Sequence, residues 1–365
     1  MTTPRVVVVV QSDGSVVVRV NGITGGERRG RRAIGLQGLD GRLVRLFEAW
    51  MTKRGRTWSL EEARAFGQLL HRTIFAEPDI WAYVKNRIPP PGPDVVRLML
   101  AFPKDGAAAR LASLPWEYLH TPEDEDGTFL AQDDRVVLSR VVPKGILSPD
   151  QPSNPTVKVL PVVSDADPQR LGKVDAQPVL EIITKAGIRE DFEILPPLTE
   201  VTQESLAAEI AAQRPDLLHF MGHGKFEGGI GAVALRDRNG ERLWVDETTF
   251  AQAVCGRGAP PSVVVLHTCE GGQVDFDFRF AGLAPELVLR GVKSVVAMQY
   301  AVTNMTAAKF SAGLYAELAD RHPVDVAVQA ARRRLVDEAP RDYRLLGIPM
   351  IYLRSAQPLL GPPAE

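Results

Sequence analysis

The sequence predicts an α/β protein in which a mostly parallel sheet carries helices on both faces, preceded by a smaller region of one β-hairpin and a helix. Three observations carry that expectation. From residue 157 onward, short runs of Val, Ile and Leu alternate with amphipathic stretches of helical period, the pattern of strands covered on both faces. Before residue 95 the pattern differs, with two β-branched runs around Ser12-Asp13-Gly14 and one helical stretch after them. Between these parts lies PKGILSPDQPSNP, residues 143–155, whose Pro and Ser content reads as a linker.

In chain order, VVVVV at 5–10 and SVVVRV at 15–20 form the hairpin. The cluster Arg28, Arg29, Arg31, Arg32, set among glycines, reads as a surface loop. Leu60, Ala63, Phe66, Leu69, Leu70 and Ile74 recur at helical intervals over 60–76, a helix suited to cover the hairpin. A strand is expected at 95–102 and a strand pair near 128–142, with LASLPWEYLHTPE between them. Beyond the linker, strands are expected at 157–164, 191–196, 216–220, 262–267, 293–299 and 349–353. Helices are expected near 175–187, 202–213, 246–255, 280–290, 304–320 and 323–338. A hairpin around Arg238-Asn239-Gly240 projects between 230 and 245.

Composition narrows the function classes. With 365 residues, 45% hydrophobic and 24% charged, the chain is long enough for one large α/β domain and an accessory region. A net charge of −2 gives no whole-chain argument for nucleic acid, although the first 60 residues hold 11 Lys/Arg against 4 Asp/Glu. Two cysteines, Cys255 and Cys269, give no disulfide framework, which suits a reducing compartment. No run approaches the ~18 apolar residues of a membrane span, and the start does not read as a signal peptide. A cytoplasmic protein of a high-GC bacterium is expected, with no membrane partner.

Reactive side chains of a parallel sheet gather at the carboxyl ends of its strands, where loops converge. Two expected strands deliver them there: DLLHF followed by Met221-Gly222-His223-Gly224, and PPSVVVLHTCEGG with Cys269 just past its apolar run. Three chemistries compete. A dinucleotide-type phosphate loop needs glycine where Glu227 stands, and a hairpin rather than a helix follows. A metal site would draw on His219, His223, His267 and Cys269, yet no C-x-x-C or H-E-x-x-H spacing is present, and His219 and Phe220 face opposite ways in a strand. The third is a thiol nucleophile with an imidazole base, since an imidazole draws out the thiolate and flanking glycines let backbone N–H groups approach a carbonyl oxygen.

The ordered set HFMGHG at 219–224, VVVLHTCEGG at 263–272, GVKSVVAMQYAVTN at 291–304, AAKFSAGLYAEL and PVDVAVQAARRRL resembles the CHAT peptidases. These are caspase- and separase-like members of the clan CD cysteine peptidases. LPWEYLHTPEDEDGTFLAQDDRVVLSR at 114–140 resembles the segment that precedes their catalytic part, so the likeness covers roughly 95–354. The 46 residues from His223 to Cys269 match a caspase-type separation of about 50. The resemblance implies a caspase-hemoglobinase fold and hydrolysis of a peptide bond in a protein substrate, with no cofactor or metal. It implies a domain over 95–355, comprising a leading segment 95–142, the linker 143–155 and a catalytic core 156–355, between an accessory region 1–94 and a tail 356–365.

By position, the resemblance makes His223 the base, Cys269 the nucleophile, and the N–H groups of Gly224 and Cys269 the oxyanion hole. His219 reads as a hydrogen-bonded core residue. Departures from the family pattern fall at His267-Thr268, where Asn-Ala or Ser-Ala is common, and at Asn304, frequently Asp in separase-like members. His267 either tunes the thiol or packs. Asn304, Asp275 and Asp277 are the substrate-binding candidates, and the P1 preference stays open. Cys255 reads as an idle thiol. A regulatory protein or effector is expected, and the oligomeric state is open. The alternative function is a catalytically idle caspase-like interaction or signalling module.

Overall fold

A computed structural model describes residues 3–31 apart from 12, 14 and 22–25; residues 45 and 49; residues 57–103, 111–122 and 127–142; and residues 154–361 apart from 190, 228–229, 269–281 and 301. The chain forms two compact units, residues 1–144 with 336–347, and residues 145–335 with 348–365.

The first unit contains β1 (Arg5–Val10), β2 (Ser15–Asn21), β3 (Glu27–Arg31), α1 (Leu60–Ile74), α2 (Pro78–Lys85), β4 (Val96–Ala101) and β5 (Val136–Val141). Its strands run in the order β3-β2-β1-β4-β5. The β3-β2-β1 part is antiparallel, and β4 adds to β1 in parallel, as does β5 to β4. Helix α1 starts where Ser59 and Glu62 cap each other's backbone N–H groups. Its buried face, Ala63, Phe66, Leu70 and Ile74, follows the helical repeat. Phe66 meets Trp58 and Tyr118 at centroid distances of 5.6 Å each. Burial of such a ring stabilises by about 1.5–3 kcal/mol.

The second unit contains β6 (Val157–Ser164), α3 (Pro168–Leu171), α4 (Gln177–Ala186), β7 (Phe192–Ile194), α5 (Gln203–Gln213), β8 (Leu217–Gly222), β9 (Gly224–Glu227), β10 (Ile230–Arg236) and β11 (Arg242–Asp246). It continues with α6 (Glu247–Cys255), β12 (Val263–Thr268), α7 (Leu283–Leu289), β13 (Ser294–Met298), α8 (Asn304–Ala319), α9 (Val324–Glu338) and β14 (Pro349–Leu353). The main sheet runs β14-β13-β12-β8-β6-β7, parallel except for β14. Consecutive residues of β8 reach opposite faces: His219 stacks on Tyr315 of α8, and Phe220 meets Phe250 of α6. Helices therefore cover both faces of this sheet. A separate small sheet has the order β11-β10-β9.

Four features differ from the sequence expectations. Glu27–Arg31 is the edge strand β3, because pairing with β2 satisfies its backbone and Glu27 bridges Arg19 and Arg29 at 3.1 and 2.6 Å. Arg32 lies outside the described residues. In 128–142 only β5 is a strand; Phe129 makes an isolated bridge to His120, and a turn at Asp133 interrupts the run. The hairpin expected between 230 and 245 is β10–β11, and the segment after His223 adds to it as a third strand, β9. The leading segment 95–142 shares one unit with 1–94, because β4 pairs directly with β1. The division falls between Lys144 and Gly145, at the start of the expected linker.

Candidate active site

The neighbours β8 and β12 are paired in parallel from Leu217–Val263 through Gly222–Thr268. His223 follows the last paired residue of β8 directly. Cys269 follows the last paired residue of β12 in the sequence and lies outside the described residues, as do Asp275 and Asp277.

His223 is buried, with 1% of its surface exposed. Its Nε2–H donates to the Gly172 carbonyl at 2.9 Å. A carbonyl only accepts, so this bond places the proton of the neutral ring on Nε2 and leaves the lone pair on Nδ1. Gly172 ends the short helix α3, which Asp167 caps through Arg170 N–H at 3.2 Å and which Arg242 ties down through Asp167 at 2.9 Å. The φ of +84° at Gly172 is a left-handed conformation that a side chain would strain. Leu171 packs with Ala166, Ala234 and Trp244 beneath this turn. Sequence reasoning missed Gly172. A glycine directly after a capped Pro168 turn was the available signal, but its tie to a histidine 51 residues away is tertiary.

The backbone on the other side of His223 is equally determined. Ala234 N–H donates to the His223 carbonyl at 2.9 Å, within the antiparallel pairing of β10 with β9. That bond makes Gly224–Val233 the pair that exchanges no hydrogen bonds. Since β9 is an edge of its sheet, the Gly224 N–H points off that edge, away from β10.

Asn304 is the first residue of α8, whose N-cap Thr303 accepts from Thr306 N–H at 3.1 Å. Its side-chain amide donates to the Asp175 carboxylate at 3.1 Å. The short segment between α3 and α4 thus holds His223 through Gly172 and Asn304 through Asp175. Asp175 had no place among the sequence candidates.

His219 and His267 form a buried pair, Nε2 to Nδ1, at 3.0 Å, and the other side of His219 meets the Tyr315 hydroxyl at 3.0 Å. Burial drives His219 well below the usual imidazole value, with His267 adding to the effect, and burial alone lowers His267 to about 3. Both rings are neutral at neutral pH. Cys255 is half-buried, and that burial pushes its thiol up to about 11. Among the described residues no group of three or more His, Cys, Asp or Glu is placed to hold a metal ion, and no helix is long and apolar enough to cross a membrane.

Residues 64–358 match the model of the CHAT domain family. No curated protein matches by sequence. Among solved structures, the Saccharomyces cerevisiae separase in its complex with securin is similar at a TM-score of 0.51 and 12% identity, over 95% of this chain and 30% of that one. The chain thus spans less than a third of separase, and the likeness concerns the fold. The Arg-specific cysteine proteinase gingipain R has a TM-score of 0.46 at 12% identity, over 88% of this chain and 75% of that one. The Drosophila initiator caspase Dronc has a TM-score of 0.36 at 12% identity, over 58% of this chain and 85% of that one.

Proposed function

The chain belongs to the CHAT domain family, with a caspase-like fold, and on that premise we propose that it is a cysteine endopeptidase cleaving a partner protein through His223 and Cys269. One observation supports this reading above the rest. The register pairs Gly222 with Thr268, so the peptide chain carries residues 223 and 269 each one step past neighbouring positions at the same sheet edge. Strands lie ~4.8 Å apart and consecutive Cα atoms 3.8 Å, so the two residues start within reach of one another.

The steps follow from the groups in hand. His223 Nδ1 takes the thiol proton while the Gly172 carbonyl holds the ring through Nε2–H. The Cys269 sulfur adds to the scissile carbonyl carbon, and the negative oxygen takes hydrogen bonds from the N–H groups of Gly224 and Cys269. The C–N bond breaks, and His223 returns the proton to the departing amine. Water, deprotonated by His223, then hydrolyses the thioester, releasing the acid and restoring the thiol. The Gly224 N–H is not spent in the β9–β10 ladder, as that role requires. Asn304, with the carboxylate of Asp175, forms a polar substrate-binding face, and Asp275 and Asp277 are proposed from the sequence as further substrate-binding residues. A protein or small effector regulates activity through the segments after His223 and Cys269.

The test is cleavage of a peptide library by the full chain, alone and with cell extract as a source of activator. Cys269→Ala and His223→Ala each lower the cleavage rate by more than ~10³-fold with an unchanged unfolding transition. A peptidyl electrophile labels Cys269 and spares Cys255. Cleavage that survives Cys269→Ala refutes the assignment, and absence of labelling in every state favours an idle interaction module.

A further inference from the structure

The main sheet has a second rim, the amino ends of its parallel strands, opposite the edge that carries His223. A cavity of about 400 Å³ opens there, and the described residues that line it all belong to the second unit. Ligand pockets span about 300–1,000 Å³, so this one admits a small organic molecule. Three neighbouring strand starts line it: Arg214 and Asp216 lead into β8, Ser262 into β12 and Lys293 into β13. The register sets Leu217, Val263 and Ser294 side by side. Arg214 and Lys293 therefore stand on either side of Ser262, their backbones about 10 Å apart, two strand spacings.

The charges in this cavity do not balance. Among the described residues lining it Asp216 is the one acid, and both its oxygens are committed, Oδ1 to the Asn154 amide at 2.7 Å and Oδ2 to the Lys158 N–H at 2.9 Å. The Ser262 carbonyl is committed too, accepting from the N–H groups of Lys293 and Ser294 at 3.0 Å each. Among the described residues neither the Arg214 guanidinium nor the Lys293 ammonium has an ion pair or a hydrogen bond. Arg214 also sits at the C-cap of α5 with φ +50° and ψ +58°, a left-handed conformation in which glycine is the usual residue and a side chain is strained. The negative end of the helix dipole favours a cation. A basic residue in the last turn would meet that preference without strain, and α5 has none there.

We infer that the cavity binds a small phosphorylated molecule, its phosphate held between Arg214 and Lys293 with the Ser262 hydroxyl as a further donor. A phosphate monoester carries a charge of about −1.5 to −2 at neutral pH and three strong acceptor oxygens. The planar arginine fork takes two of those oxygens and the lysine supplies a point charge, whereas one carboxylate matches only one cation. Pro215 and Pro260 give the organic part an apolar wall. The six residues of β8 separate this rim from the His223 edge by roughly 20 Å. The ligand is thus not the substrate, and the inference stands apart from the peptidase reading.

Isothermal titration of the full chain with AMP, pyrophosphate, adenosine and succinate tests it. AMP and pyrophosphate are expected to bind saturably at one site, and adenosine and succinate at least about tenfold more weakly, the loss of one charge-assisted contact. Lys293→Ala and Arg214→Gly are each expected to weaken AMP binding by about tenfold or more. Arg214→Gly also separates binding from folding, because glycine relieves the left-handed strain: its thermal midpoint is expected to rise by about 2–4 °C while affinity falls. No saturable binding of AMP or pyrophosphate at millimolar concentration overturns the site, as does AMP binding that both variants leave unchanged. Succinate binding as tightly as AMP overturns the phosphate assignment.

Discussion

The two units bury polar side chains in opposite ways. The N-terminal unit encloses a charged pair, Glu117 with Arg140 at 2.7 Å, the side chains 4% and 1% exposed, and Arg140 spends a second nitrogen on the Ala112 carbonyl. The C-terminal unit encloses the neutral Tyr315–His219–His267 chain. An enclosed ion pair holds each charge only while the other is present, because desolvation of a lone charge outweighs what the site returns. A neutral chain tolerates loss of a member and can pass polarity along its length.

Glu117→Ala strands the Arg140 guanidinium and is expected to destabilise the N-terminal unit by about 3–5 kcal/mol. Urea unfolding followed by the fluorescence of the buried Trp58 and Trp116 measures it. An equal loss from His267→Gln would erase the contrast between the units. The next effect is acid lability of the C-terminal unit. His219 and His267 refuse protons in the fold but accept them near pH 6.5 when unfolded, so the unfolded state binds more protons below that value. Their contribution is present above about pH 6.5; that of His267 drains as pH falls toward 3, at about 1.4 kcal/mol per pH unit, and His219 acts in the same direction. Denaturation midpoints across this range are expected to slope in wild type and to flatten in the His219→Gln, His267→Gln double variant. A persisting slope would assign the lability elsewhere. The smallest effect concerns Cys255: with its thiol pushed up to about 11, iodoacetamide at neutral pH is expected to leave it unmodified. Cys255→Ala should shift stability by less than about 1 kcal/mol, and measurable alkylation would contradict the burial argument.

Much of the framework was legible residue by residue. The strands at 157–164 and 349–353 coincide with β6 and β14, because unbroken Val/Ile/Leu runs have few other places to be satisfied. The helix expected near 246–255 starts where the sequence puts an aspartate, and Asp246 accepts from Thr249 N–H at 2.8 Å. The opposite facing of His219 and Phe220 followed from strand geometry alone. Less legible was β3, whose Glu-Arg-Arg-Gly-Arg composition reads as a loop until β2 pairs with it. The Gly172 carbonyl behind His223 and the Asp175 carboxylate on Asn304 were invisible, because nothing local marks a contact between segments 51 and 129 residues apart.

The sequence by itself determined the alternation of strands and helices and the placement of His223 and Cys269 just past two apolar runs, because period and turn chemistry act over a few residues, and its ordered motifs carried the resemblance to the family. Only the tertiary structure decided that those runs are neighbours in register, that a glycine carbonyl orients the His223 ring, and that Tyr315, His219 and His267 form one chain. Hydrogen-bond direction and burial are properties of groups brought together from distant segments, and they exist only once the sheet has closed over them.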